Sequence, residues 1–135
     1  MNFEKEGVVS VWFSTVDFST IPEAYFEADG EWPDQWSRHF KITQYDEELQ
    51  ELNGCESGTE SAQALLAPCS YSSSYANAVS KKITKLGHDR ICWLVLMFDF
   101  EYRAKKTQCF SDDYMQFAGA FPYNLTADSI IDPES

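Results

Sequence analysis

The longest unbroken apolar run in this chain, Ile91 to Phe98, is no longer than a β-strand. A membrane-spanning helix takes about 20 apolar residues, so these side chains have to be buried against the rest of the chain. Within the wider segment Arg90 to Glu101, alternation predicts a strand with Leu94, Leu96, Phe98 and Phe100 on one face. A second β-branched and aromatic stretch, Val8 to Val16, predicts a largely buried strand that carries Trp12. At 135 residues the chain is the size of one domain. A chain of this length buries roughly two-thirds of its unfolded surface without disulfide or metal staples.

Helical signals separate the two strands. Pro22 suits the first position of a short helix running to Glu27. Trp32, Trp36 and Phe40 recur every four residues and predict a helix over Pro33 to Phe40. Trp12, Trp36 and Phe40 are candidates for the core. Residues 42–54 fit an acidic helix turn and an edge strand equally well. Ser57 and Glu60 have capping-box spacing for a short helix that ends before Pro68. The clearest helix carries the stripe Tyr71, Tyr75, Val79, Ile83 and Leu86, with Lys81, Lys82 and Lys85 near its C-terminus and Gly87 as its cap. After the Arg90 strand, Lys105 to Phe110 and Tyr114 to Tyr123 read as two further strands. Together they predict a three-strand C-terminal meander. The expected fold is a single α+β domain over residues 8–123, with an antiparallel sheet built from the N-terminal strand and that meander, packed against several helices. Residues 124–135 read as a flexible tail.

Charge narrows the function. The net charge of −12 disfavours partners rich in phosphate, whether nucleic acid or anionic lipid. Residues 1–69 carry 14 acids against 3 bases, whereas residues 70–135 carry 8 against 7. Acid segregated in this way can steer a basic partner into place. The densest group is Asp46, Glu47, Glu48 and Glu51, with Asp29, Glu31 and Asp34 as further candidates for a binding surface. Packing like charges together is unfavourable in isolation, and a partner's Lys and Arg would relieve it. Trp32 and Tyr45 are candidate aromatic anchors for such a contact.

Signals for catalysis are sparse. His39 and His88 lack a second ligand at helical spacing, and Cys55, Cys69, Cys92 and Cys109 form no CxxC pair. With a core of this size and an acidic N-terminus unlike a signal peptide, free thiols and a cytoplasmic location are expected. No nucleophile elbow or phosphate-cradling glycine loop is present. Two acidic pairs, Asp99 with Glu101 and Asp112 with Asp113, are the candidates for a metal-dependent enzyme. In a strand, Asp99 and Glu101 would share an outer face. The reading is therefore of a protein with no catalytic residues, metal or cofactor. A metal-dependent enzyme and a general adaptor or scaffold domain are the alternatives.

Five segments in order carry a resemblance. They are Val9-Ser-Val-Trp-Phe13, Tyr45-Asp-Glu-Glu48, Leu65-Leu66 with Ser70-Tyr-Ser72, Leu96-Met-Phe-Asp-Phe-Glu-Tyr102, and Phe117-Ala-Gly-Ala-Phe-Pro-Tyr123. In sequence and spacing the chain resembles the immunity protein 22 family of bacterial polymorphic toxin systems. Ser14 departs from the glycine expected after the tryptophan strand. The resemblance implies an α+β domain that binds and neutralises a cognate protein toxin without turnover. Such toxins are often nucleases or other enzymes with basic clefts, which an acidic face would suit.

Overall fold

A computed structural model describes residues 3–26, 34–43, 45–55 and 58–130. Its regular elements are β1 (Glu4–Ser14), α1 (Gln35–His39), β2 (Gln50–Gly54), α2 (Ala62–Leu66), α3 (Ala76–Lys85), β3 (Trp93–Phe100), α4 (Ala104–Thr107) and β4 (Gln116–Pro122). The four strands form one antiparallel sheet in the order β2-β3-β1-β4. The chain is thus an α+β domain, as its sequence predicts.

The connectivity differs from a meander. β1 lies between β3 and β4, so the C-terminal strands do not pair with each other. The segment expected as the middle strand, Lys105 to Phe110, holds the helical turn α4 instead, which ends at Gln108 in the left-handed region (φ 61°). β1 is central, which explains why its Val9, Val11, Trp12 and Phe13 are all buried. A strand with sheet on both sides and a packed layer on each face has no solvent side on which to place polar residues.

Alternation along β1 and β3 divides the interior into two layers. Val9, Val11 and Phe13 join Leu94, Leu96 and Phe98 beneath α2 and α3. Trp12 joins Trp93, Val95 and Met97 on the opposite face, beneath α1 and the loops. Phe100 was expected to follow Phe98 but lies in the second layer. The cause is Asp99, whose φ of 55° breaks the two-residue period, opposite an irregularity in β1 between Glu4 and Val9.

Three of the four predicted helices form where the sequence places them, with altered ends. α3 begins at Ala76. Tyr71, the expected first member of its stripe, is left-handed (φ 60°), and Leu86 at the other end is 37% exposed. Gly87 closes the helix at φ +99°, donating its N–H to the Thr84 carbonyl. The N-cap of α2 is Ser61, whose hydroxyl accepts from Ala64 N–H, while Glu60 bridges to Ile91. The expected cap Ser57 lies outside the described residues. Near Pro22 the chain makes only a 3-10 turn, Glu23–Phe26. The ambiguous 42–54 segment resolves into a 3-10 turn at Glu47–Leu49 followed by β2. Gly54 is required there, because a Cβ would sit 2.3 Å from Trp93 Cβ and 2.9 Å from the Cys92 carbonyl. Residues 124–130, read from the sequence as tail, hydrogen-bond to the 69–74 segment through Ser129 Oγ to the Cys69 carbonyl and Ile130 N–H to Ser72 Oγ.

Candidate binding surface

The acidic run divides into an exposed group and a structural one. Asp46 is extended and caps the following turn, its Oδ1 accepting from Glu48 N–H at 3.0 Å. That cap fixes the backbone of Glu47 and Glu48 and leaves all three side chains exposed. Three residues beyond Glu48, Glu51 sits in β2 opposite Leu96, on the face covered by α2 and α3. There its carboxylate accepts from Ser70 N–H and Ser70 Oγ, both at 2.9 Å. Glu51 therefore ties β2 to the α2–α3 connection and is only partly exposed.

A cleft of about 360 Å³ lies beside the acidic turn. Asp46 and Leu49 form one wall, and Glu4, Lys5 and Glu6 at the start of β1 form another, with Met97 to Phe100 completing it. Glu4, Glu6, Asp46 and Asp99 line it, with Lys5 as its one basic lining residue among those described. Lys5 points its charge towards Glu101, 3.5 Å away. Asp99 accepts from Gly7 N–H at 3.0 Å and from the Tyr123 hydroxyl at 2.6 Å. Its role in the cleft is partly to hold the irregular backbone there.

Other residues singled out by charge or ring chemistry fall elsewhere. Asp34 is buried (1% exposed), not on the surface. Its Oδ1 caps α1 by accepting from Ser37 N–H at 2.8 Å, and its Oδ2 accepts from the Tyr45 hydroxyl at 2.5 Å. Tyr45 is buried as well, so it is no exposed anchor; it packs edge-on against Trp36. Burial first, and then the bond to Asp34, pushes the Tyr45 hydroxyl pKa up. Asp29, Glu31 and Trp32 lie outside the described residues.

The two carboxylate pairs do not converge. Asp99 is left-handed and turned to Gly7 and Tyr123, whereas Glu101 pairs with Lys5 and Arg103, so the shared outer face expected for them is absent. Asp112 is directed inward, its side chain 8% exposed, and Asp113 is exposed. No group of three or more His, Cys, Asp or Glu side chains among the described residues is placed to hold a metal ion.

One cluster was not visible in the sequence. Asp112 Oδ2 meets His39 Nδ1 at 2.8 Å and accepts from the Tyr25 hydroxyl, while its Oδ1 accepts from Tyr114 and Met115 N–H. The group joins α1, the 23–26 turn and the loop before β4. Burial first, and then the bond to Asp112, raises the Tyr25 pKa. Cys109 Sγ lies 2.9 Å from the His39 carbonyl, and burial foremost raises its thiol pKa. All four cysteines are unpaired, and burial pushes Cys69 up to about 12. Cys69 and Cys109 are thus shifted away from the depressed pKa of an activated thiolate.

Among the described residues, no helix is long and apolar enough to cross a membrane. No curated protein and no solved structure matches the chain. Residues 9–124 match the family model described as immunity protein 22, and the chain belongs to that family.

Proposed function

From the chain's membership of the immunity protein 22 family, we propose that it binds a cognate protein toxin stoichiometrically and silences it, without catalysis or cofactor. The contact is centred on Asp46, Glu47 and Glu48 and extends into the cleft beside them, past Glu4 and Glu6. The observation that carries this reading is a rigidly capped turn presenting three exposed carboxylates next to a carboxylate-lined cleft. A net charge of −12 adds long-range attraction for a basic partner. The surface it fits is a cationic cleft of the kind that binds a polyanionic substrate, as in a nuclease. Asp29 and Glu31 remain candidate contacts on charge alone. Glu51 and Asp34 act behind the surface, one holding β2 and the other holding α1. Such a protein works in the cytoplasm of the cell it protects.

The test is association kinetics with the toxin encoded beside the gene. The double reversal Glu47→Lys with Glu48→Lys should slow association by about tenfold at low salt and flatten its dependence on ionic strength. An unchanged rate and salt slope would sink the acidic-turn assignment. No measurable complex between the wild-type protein and that toxin would sink the immunity reading itself.

A further inference from the structure

The outer edge of β4 carries a second surface, opposite in charge to the first. β4 ends the sheet, and among the described residues β1 is its strand neighbour. The start of that edge is closed, because Phe117 N–H donates to the Phe110 carbonyl and Ser111 bridges Gln116. From Ala118 to Pro122 no such cover follows among the described residues. Along this stretch runs a groove of about 680 Å³. Its floor is Ala118, Gly119 and Ala120; α3 contributes Lys82 and Leu86 to one wall, and the 101–106 segment with Phe110 contributes the other. Leu86 is 37% exposed and Phe110 is 53% exposed.

The rim of the groove is basic in an acidic protein. Lys82, Lys105 and Lys106 are exposed, and among the described residues no carboxylate pairs with them. Glu101, the one acid on the groove among the described residues, is engaged by Arg103 and Lys5. A small-residue floor lets another backbone come close, and an open strand edge offers it hydrogen-bonding groups. Lysines beside an edge deter neutral or basic strands and attract an acidic one. A second copy pairing edge to edge would bring two basic rims together, and a nucleic acid has no strand backbone to pair with an open sheet edge.

We propose that this groove docks an extended acidic segment of a partner protein, which adds a fifth strand to the sheet along residues 118–121 of β4. The proposal does not depend on the acidic turn or on the identity of the toxin.

The experiment titrates two blocked synthetic peptides into the isotopically labelled full chain and follows its amide NMR signals. One probe alternates Glu with Val and Thr; the other carries Lys in place of each Glu. The acidic probe is expected to give saturable shifts at residues 118–121, Lys82, Lys105 and Lys106, and slowed hydrogen exchange along β4. The variant Lys105→Glu with Lys106→Glu, or Lys82→Glu should the first fold poorly, should weaken it at least about tenfold. Absence of saturable shifts at β4 overturns the proposal, as does equal binding of the basic probe. Equivalent shifts with a single-stranded oligonucleotide of matched charge would replace it with a polyanion site. Shifts caused by protein concentration alone would replace it with self-association.

Discussion

The two faces of the sheet are covered by different means. Over one lie α2 and α3, and the layer between is mainly aliphatic: Leu65, Leu66, Val79 and Ile83 against Val9, Val11, Leu94 and Leu96. Over the other lie the five-residue α1, the four-residue α4 and a series of turns, and the layer is mainly aromatic. Trp12 alone meets Trp36, Phe40, Tyr102 and Phe117, with ring centroids 5.0–5.8 Å apart. Helices satisfy most of their own backbone, so the first face needs polar partners mainly at the ends and connection of its helices. There Asn53 donates to the Leu65 carbonyl and the Tyr75 hydroxyl to the Ser70 carbonyl. Loops do not satisfy theirs, and each buried N–H or C=O under the second face needs a partner. Side chains supply them. The Tyr102 hydroxyl sits 2.6–2.9 Å from the Phe40 and Cys109 carbonyls and Thr107 Oγ1, and Lys41 Nζ donates to the Thr107 carbonyl. The helical face is thus held mainly by area, with polar ties gathered at the α2–α3 connection, and the aromatic face by rings together with polar anchors.

Large-to-small changes test the first half of that contrast. Trp36→Ala should cost about 3–5 kcal/mol, and Ile83→Ala about 2–5 kcal/mol, measured by urea unfolding. Both side chains are fully buried. Near-equal losses leave the two layers equivalent in packing; a marginal loss at Trp36 would mean the aromatic layer collapses around the gap and is the looser of the two.

The same cap chemistry on each face is a sharper comparison. Asp34→Ala removes the cap of α1 and strands the buried Tyr45 hydroxyl, for a cost of about 2–4 kcal/mol. Ser61→Ala removes only the α2 cap at a more open position, for about 1 kcal/mol. Asp34→Asn keeps one acceptor oxygen for Ser37 N–H and turns an amide donor to the Tyr45 hydroxyl, so it should cost less than Asp34→Ala. An equal cost would mean that the Tyr45 contact, and not the α1 cap, carries the loss.

Alkaline titration reads the anchors together. Burial raises the pKa of Tyr25 and Tyr45 on the aromatic face and of Tyr75 on the helical face above their ordinary value of 10.0. Each group keeps its proton in the folded state after the unfolded chain has released it. Its contribution is complete below pH 10 and is lost as pH rises beyond, at about 1.4 kcal/mol per pH unit per group. Cys69, raised from 9.0 to about 12, starts the decline near pH 9. Tyr25→Phe should lower stability at pH 7 and shallow the slope above pH 10. An unchanged slope would mean that Tyr25 ionises as freely when folded as when unfolded.

How far each layer can be read from sequence follows from the same difference. The strand cores of β1 and β3 and the stripe of α3 repeat at periods of two and about 3.6, so their buried sides are visible without partners. The aromatic layer has no such period, because its anchors pair across distance: Asp34 with Tyr45 is separated by 11 residues, and His39 with Asp112 by 73. A single left-handed residue, Asp99, sends Phe100 to the wrong side of any alternation rule. The α4 segment was misread as a strand and took the C-terminal meander with it, since a four-residue helical turn leaves no periodicity to find. Of the acidic candidates, Asp46 to Glu48 are exposed, as a charge run suggests. Glu51 and Asp34 carry the same charge and are turned to Ser70 and Tyr45, distinctions made only by the folded chain.

The smallest stability change is expected at the acidic turn. Asp46 caps through its side chain, but among the described residues no hydrogen bond or ion pair engages the Glu47 and Glu48 side chains, so reversing both should shift unfolding by no more than about 0.5 kcal/mol. Glu51→Gln is the matched control, since it loses charge-assisted acceptance from Ser70 N–H and Oγ and should cost about 1–2 kcal/mol. The turn lies between the two layers, with Tyr45 before it in the aromatic layer and Leu49 at its end against the helical one. A double reversal as damaging as Asp34→Ala would make Glu47 and Glu48 two more anchors of the fold. A silent one leaves them as charges the fold does not use, free to meet a partner.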